Sequence, residues 1–266
     1  MLKVSQKATR VDQSTHPDVT GAKVWQLINA TTVGSTRGML LITEFAPGGE
    51  HTLHRHANSE QASFLLSGKG EHLTEHGPMI QEAGDAIYVS RNEWHGFRNI
   101  GEQPAKLVSL FGTAGALSQA GYESYSGPLS PRPNPVIKRV RLRDLQSDTN
   151  LDENTGFIGL GVYWLITRET VGAENIVLGA STFEPGGVHE HHRHPNGDEI
   201  LFILEGGGKH LTPNGEVGLG AGEIAFIPAN EYHGFDNPPS VVTRTIFGYF
   251  GPGSLAEAGY EVRPAG

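Results

Sequence analysis

Residues 185–199 read PGGVHEHHRHPNGDE, and residues 47–61 read PGGEHTLHRHANSEQ. The shared Pro-Gly-Gly and His-x-His elements stand at one spacing in both. Working outward, the segment from Phe45 to Glu123 aligns with the segment from Phe183 to Glu261 at a constant offset of 138 residues, without gaps. That register pairs Gly68 with Gly206, Gly84 with Gly222, His95 with His233, Asn99 with Asn237 and Tyr122 with Tyr260. Agreement over roughly 80 residues identifies a tandem duplication, which predicts two similar domains.

Between the copies lies Gly127-Pro128-Leu129-Ser130-Pro131-Arg132-Pro133-Asn134-Pro135, whose prolines stop both helix and sheet. The expected organisation is an N-terminal domain over 1–127, a linker over 128–138 and a C-terminal domain over 139–266. The 36 glycines and 16 prolines, with little helix-period patterning, point to short strands joined by turns. In the first copy strands are expected at Val24–Ile28, Met39–Phe45, Gln61–Leu66, Ala86–Val89 and Lys106–Phe111. Each copy ends in a short helical stretch, Ala116–Ala120 or Leu255–Ala258, before a capping glycine, Gly121 or Gly259.

The chain contains no cysteine, which excludes disulfides, thiolate zinc sites, iron–sulfur clusters and cysteine nucleophiles. Any metal must therefore use nitrogen and oxygen donors. A net charge of -9 without a basic cluster speaks against nucleic acid as a partner. Met1 to Gln13 carries no apolar stretch of signal type and no long apolar run occurs elsewhere, so no membrane partner is expected and the expected location is cytoplasmic.

The chemistry concentrates in the second copy. Gly186-x5-His192-x-His194-x4-Glu199-x6-Gly206 is followed by Gly222-x5-Pro228-x4-His233-x3-Asn237. In a strand, residues two apart share a face, so His192 and His194 point inward together. A turn through Pro195-Asn196-Gly197 returns Glu199 toward them, and His233 supplies the fourth group. Three imidazoles and one carboxylate suit a divalent Fe, Mn, Ni, Co, Cu or Zn. An octahedral shell would keep two positions open for substrate, water or dioxygen.

These spacings match both motifs of the cupin superfamily, and the resemblance covers about 80 residues of each half. It implies an all-β chain of two tandem jelly-roll-type barrels with a few short helices, a bicupin. One position departs: Asn230 stands where the family has a glycine two residues after the proline, which puts a local turn in question.

The first copy keeps His54, His56 and His95 in register, but Gln61 stands where the second has Glu199. Gln61 would coordinate through a neutral amide oxygen, so metal is expected foremost in the C-terminal barrel and, more weakly held, in the N-terminal one. Glu60 is adjacent but should face the opposite side of its strand. His51 corresponds to His189 and His72 to His210. Duplicated strand positions account for them most simply, with hydrogen bonding or proton shuttling beside a metal as the alternative. Alternation turns Glu190 to the side of His192 and leaves His189 and His191 facing away. Trp94 and Tyr232 read as rim packing before pocket walls, and Gly206-Gly207-Gly208 as a strand turn, because no Lys-Ser/Thr and helix follow to complete a phosphate loop.

Fold and ligands do not fix a reaction. The leading expectation is a dioxygenase resembling quercetinase-like and ring-cleaving bicupins, acting on a small enol-like, catechol-like or aromatic substrate. Glu199 would serve there as ligand and as catalytic proton acceptor. The alternatives are a non-oxidative metallocupin (isomerase, lyase, decarboxylase or hydrolase) and a small-molecule-binding cupin without catalysis. Bicupins often associate through barrel edges, so a homo-oligomer is expected.

Overall fold

The computed structural model describes residues 1–5, 12–13, 16–128, 137–148 and 156–264. Most of the expected linker, 128–138, lies outside these residues. The described chain is mainly strand, with two four-residue helices, Arg168–Val171 and Leu255–Ala258, and short 3-10 turns at Leu117–Gln119 and Leu142–Asp144. No described helix is long and apolar enough to cross a membrane.

The chain divides into two compact units, Thr9–Arg143 and Met1–Ala8 with Asp144–Gly266. Each is a curled antiparallel sheet with the same strand order. In the first the path runs Ile137–Arg141, Asp85–Val89, Gln61–Ser67, Ala105–Gly112, Gly38–His56, His95–Asn99, Lys69–Thr74, Met79–Glu82. In the second it runs Leu2–Ser5, Glu223–Ile227, Asp198–Glu205, Thr243–Phe250, Ile176–Arg193, His233–Asp236, Gly207–Thr212, Gly215–Gly220. Val19–Ile28 and Phe157–Ile166 add to the long central strand of their own unit. These are the two jelly-roll-type barrels expected from the duplication.

The central strands Gly38–His56 and Ile176–Arg193 serve both walls. Their first halves pair with Ala105–Gly112 and Thr243–Phe250, their second halves with His95–Asn99 and His233–Asp236. Between the halves lies Pro-Gly-Gly, whose first glycine takes a left-handed conformation, φ 74° at Gly48 and 77° at Gly186. A side chain there would strain the bend that carries the histidines into the barrel. Below the histidines, Phe45 packs on Phe97 and Phe183 on Phe235, with ring centroids 4.9 and 4.8 Å apart. Burying each ring stabilises its barrel by about 2–3 kcal/mol. The motif asparagines close the same end: Asn99 donates to the carbonyls of Phe45 and Gln103, and Asn237 to those of Phe183 and Val241. Their role is structural.

The structural units differ from the expected 1–127 and 139–266 at both ends. Leu2–Ser5 pairs with Glu223–Ile227 in the second unit, and Ile137–Arg141 pairs with Asp85–Val89 in the first. The strand preceding each repeat is thus built into the sheet of the other. The physical need is plain: Asp85–Val89 is buried throughout, and an uncovered apolar edge would leave its backbone groups unpaired. Lys138, Arg139 and Arg141 then put charge on the new outer edge.

Candidate metal centres

In the second barrel His192 is the penultimate residue of the long strand, His194 follows that strand, Glu199 lies on Asp198–Glu205 and His233 opens His233–Asp236. One ligand atom from each lies within 4.8 Å of the others, and all four residues are buried. His192 Nε2 is 3.2 Å from His194 Nε2, while Glu199 Oε2 is 3.3 Å from His194 Nε2 and 2.7 Å from His233 Nε2. That 2.7 Å contact lies off the hydrogen-bond direction, and neither atom has a hydrogen-bond partner.

The backbone fixes which nitrogen is bare. His192 Nδ1–H donates to Glu190 O at 2.8 Å, His194 Nδ1–H to Gly259 O at 2.6 Å and His233 Nδ1–H to Glu231 O at 3.0 Å. A carbonyl can only accept, so each neutral ring presents its Nε2 lone pair to the centre. Lone pairs 3.2 Å apart repel, and a carboxylate oxygen joins them. A cation resolves that repulsion, and three imidazoles with one carboxylate fit a divalent metal.

The Glu199 carboxylate draws positive charge to this cluster. Burial alone pushes His233 down, but the Glu199 carboxylate outweighs it and holds the imidazole above its ordinary value. Burial would raise Glu199, yet His233 and His194 hold it well below the usual carboxylate range. Glu199 is therefore an anion, as a ligand must be. Burial, aided by His189 and His233, keeps His192 well below the imidazole range.

The first barrel repeats the plan with two differences. His54, His56 and His95 form a buried cluster. His54 Nδ1–H donates to Thr52 O at 2.8 Å and His95 Nδ1–H to Glu93 O at 2.9 Å. Burial lowers His54 strongly, His95 to about 4 and His56 to about 2, so all three are neutral near pH 7. Gln61 turns Oε1 toward His95 Nε2 at 3.0 Å, the orientation that a shared cation would require. Both His56 nitrogens lack a partner, unlike those of His194. The reason is one residue: Ala57 N–H takes the Gly121 carbonyl at 2.9 Å, whereas its counterpart Pro195 has no N–H and leaves Gly259 O free for His194.

Glu60 stays outside the ligand cluster, its Oε2 accepting the Tyr88 hydroxyl at 2.6 Å. The turn questioned at Asn230 is intact: Asn230 takes φ 70° and its counterpart Asn92 φ 65°, a conformation asparagine tolerates. Asn230 N–H donates to His194 O and Asn92 N–H to His56 O, so the turn buttresses the ligand strand. Trp94 receives the Arg55 guanidinium and Tyr232 that of Arg193; both are rim packing.

One expectation is corrected. His189 does not face away; it lines the cavity with its ring 4.1 Å from His192, and His51 stacks on His54 at 3.7 Å. The register shifts between His189 and His192, and between His51 and His54, so simple alternation fails there. The backbone approach behind the shift is close enough that a Cβ on Gly234 would sit 2.8 Å from His189 O, and one on Gly96 2.6 Å from His51 O. His72 and His210 also line the cavities, stacked 6.0 Å from His95 and 5.8 Å from His233.

The cavities differ in size. That of the first barrel encloses about 290 Å³, that of the second about 60 Å³. Ser63 and Ser109 line the first where Leu201 and Phe247 line the second.

The Cupin domain family matches residues 41–111 and 179–247, one match in each barrel. Protein SchB of Streptomyces halstedii is 28% identical over 114 residues, 43% of this chain and 72% of SchB. The tetracenomycin polyketide synthase protein TcmJ of Streptomyces glaucescens is 28% identical over 116 residues, 44% of this chain and 75% of TcmJ. Among solved structures, the oxalate decarboxylase of Bacillus subtilis at pH 4.6 superposes with a TM-score of 0.71 at 16% identity, covering 95% of this chain and 76% of that one. At that identity the likeness speaks for the fold, two barrels in one chain.

Proposed function

This chain belongs to the cupin family, and on that premise we propose a metal-dependent bicupin enzyme, a dioxygenase acting on a small enol-like, catechol-like or aromatic substrate. The observation that carries the reading is the first-barrel cavity of about 290 Å³, whose apolar walls close on His54, His56 and His95, and on this ground the reading moves from the Glu199 barrel, where the sequence alone suggests it, to the first. A flat phenolic or enolic molecule matches that volume and polarity. The names of TcmJ and of the polyketide synthase protein CurC of Streptomyces cyaneus support the same class, because polyketides are rich in enolisable carbonyls.

A divalent ion bound there supplies Lewis acidity and, if redox-active, electrons for dioxygen. Leu107 and Phe111 would pack the organic face, the Ser63 and Ser109 hydroxyls would hydrogen-bond its polar edge, and His54, His56 and His95 would hold the ion beside its charged end. With Gln61 neutral, no anion in the protein's ligand set would offset the charge of the ion. That arrangement favours binding of an enolate or phenolate over its neutral form.

A second reading is non-oxidative and belongs to the second barrel. Its cavity of about 60 Å³ suits a molecule of a few heavy atoms, and Glu199 is placed to be both ligand and proton acceptor. The Bacillus subtilis oxalate decarboxylase, of like fold, carries Mn(II) centres and acts on such an acid.

The deciding experiment is elemental analysis of the purified chain followed by oxygen-uptake assays over catechols, flavonols and 1,3-diketones. One to two redox-active ions per chain with substrate-dependent oxygen uptake is the expected result. Consumption of a small carboxylic acid without oxygen would transfer the function to the second reading, and a chain that takes no metal would leave a binding protein.

Gln61→Glu tests the first ligand set separately. Restoring the carboxylate should tighten first-barrel metal by roughly tenfold or more, since charge count governs affinity in such sites. Equilibrium dialysis against a chelator reads the change; no gain would mean that Gln61 does not face the ion.

A further inference from the structure

Beside each ligand cluster stands a second group that the proposed chemistry leaves unused. In the first barrel Tyr122 Oη–H donates to Asp18 Oδ2 at 2.7 Å and lies 3.2 Å from His51 Nε2. His51 stacks on His54 with an interplanar angle of 12° and a centroid separation of 3.7 Å, and Tyr122 lies nearly parallel to His54 at 5.1 Å. In the second barrel Tyr260 Oη–H donates to Glu190 Oε1 at 3.1 Å and lies 3.4 Å from His189 Nε2. His189 packs on His192, and Tyr260 lies 4.6 Å from His192 at 18°.

Tyrosine and outer histidine occupy equivalent positions in the two repeats, but the carboxylates do not. At the repeat offset Asp18 corresponds to Gly156 and Glu190 to Thr52. These two positions face each other across one backbone hydrogen bond in both barrels: Thr52 N–H donates to Asp18 O at 2.9 Å, and Glu190 N–H donates to Gly156 O at 3.0 Å. The acid stands on one side of that bond in the first barrel and on the other side in the second. The alternatives exclude each other, because a Cβ on Gly156 would lie 2.4–2.6 Å from the Glu190 side chain.

We propose that Asp18 and Glu190 are equivalent positioning residues, each anchoring a tyrosine hydroxyl that holds the outer imidazole, His51 or His189, against the first ligand histidine, His54 or His192. The hydrogen-bond directions require this order. A carboxylate only accepts, so it takes the tyrosine proton, and the tyrosine oxygen is left to accept from the histidine Nε2–H. The outer ring is thereby held in one tautomer and one plane, and the ligand ring stacked on it inherits that plane. Burial agrees with a neutral outer ring, lowering both His51 and His189 to about 3. The carboxylate changed sides while its target stayed, which is what selection on the anchor, and not on the acid's own position, would leave. The effect on metal affinity rests on the metal-centre reading above; the anchoring itself does not.

The test transplants the second barrel's solution into the first, where no strained glycine must be replaced. Wild type, Asp18→Gly and Asp18→Gly/Thr52→Glu are compared as full chains. In the metal-free chain, nitrogen-15 NMR of the imidazoles should show a slowly exchanging His51 Nε2–H in wild type, its loss in Asp18→Gly and its return in the double variant. In Co(II) titrations Asp18→Gly should weaken the first-barrel site by about tenfold or more, and the double variant should regain most of that. The second-barrel site is the internal reference in each chain. An unchanged ring proton in Asp18→Gly, or a double variant that restores neither signal, would overturn the proposal. Restoration of the ring proton in a chain that takes no Co(II) even as wild type would uphold the anchoring and sink the metal centre instead.

Discussion

Replacing Glu199 with alanine is expected to weaken divalent-metal binding in the second barrel by ~100-fold or more while leaving the first barrel unaffected. Glu199 is the only anion among the four donors, and its Oε2 lies 3.3 Å from His194 Nε2 and 2.7 Å from His233 Nε2. Without it three neutral imidazoles remain, committed through Nδ1 to backbone carbonyls and unable to add charge. The measurement is metal content after dialysis, paired with thermal unfolding with and without added metal. Metal present at 100-fold above its Kd stabilises by about 2.7 kcal/mol, so the metal-dependent rise in Tm should vanish for that barrel. Glu199→Gln recreates the ligand set of the first barrel and should fall between wild type and alanine. A folded Glu199→Ala chain with unchanged metal content would show that these four residues do not form a metal centre.

Most of the candidate cluster is legible in the sequence because the geometry of three of its members is local. His192 and His194 share a strand face, Glu199 returns after a three-residue turn, and the same spacing occurs twice. What the sequence did not disclose depends on contacts that spacing cannot encode. The pairing of Leu2–Ser5 with Glu223–Ile227 joins segments more than 200 residues apart, and nothing in either strand names its partner. Alternation turns His189 outward because it assumes an unbroken ladder, and the shift beside it breaks the ladder where Gly234 lets two backbones approach. A signal for the shift was present in the repeat of His-Gly at 95–96 and 233–234. The exchange of Asp18 for Glu190 was hidden for a different reason: at a fixed offset it reads as two unrelated mismatches. Only the backbone hydrogen bond joining those positions makes them one change.

Exchanging the first barrel's lining for that of the second should abolish binding of an organic ligand without unfolding the chain. The difference between about 290 and about 60 Å³ traces to a few aligned pairs, of which Ser63 with Leu201 and Ser109 with Phe247 are adjacent cross-strand neighbours. Ser109→Phe alone is a poor test. Phe247 lies over Gly179, where a Cβ would approach its ring to 2.3 Å, whereas Leu41 faces Ser109 in the first barrel. The phenylalanine needs the glycine with it, so the informative variant is Leu41→Gly/Ser63→Leu/Ser109→Phe. Ser63→Leu by itself is the mild form: it removes a buried hydroxyl without a hydrogen-bond partner and puts apolar volume into the cavity, so its Tm should hold or rise. Titration with 4-nitrocatechol, followed by its absorbance in the metal-loaded chain, should show affinity reduced by roughly tenfold in Ser63→Leu and by ~100-fold or more in the triple variant. Metal content should stay at the wild-type level in both, since none of the three positions is a ligand. Undiminished binding in a folded triple variant would place the organic ligand outside the first barrel. Loss of binding together with loss of metal would mean that the lining shapes the ligand cluster itself, and the two effects would then separate in Ser63→Leu, where only the probe should be lost.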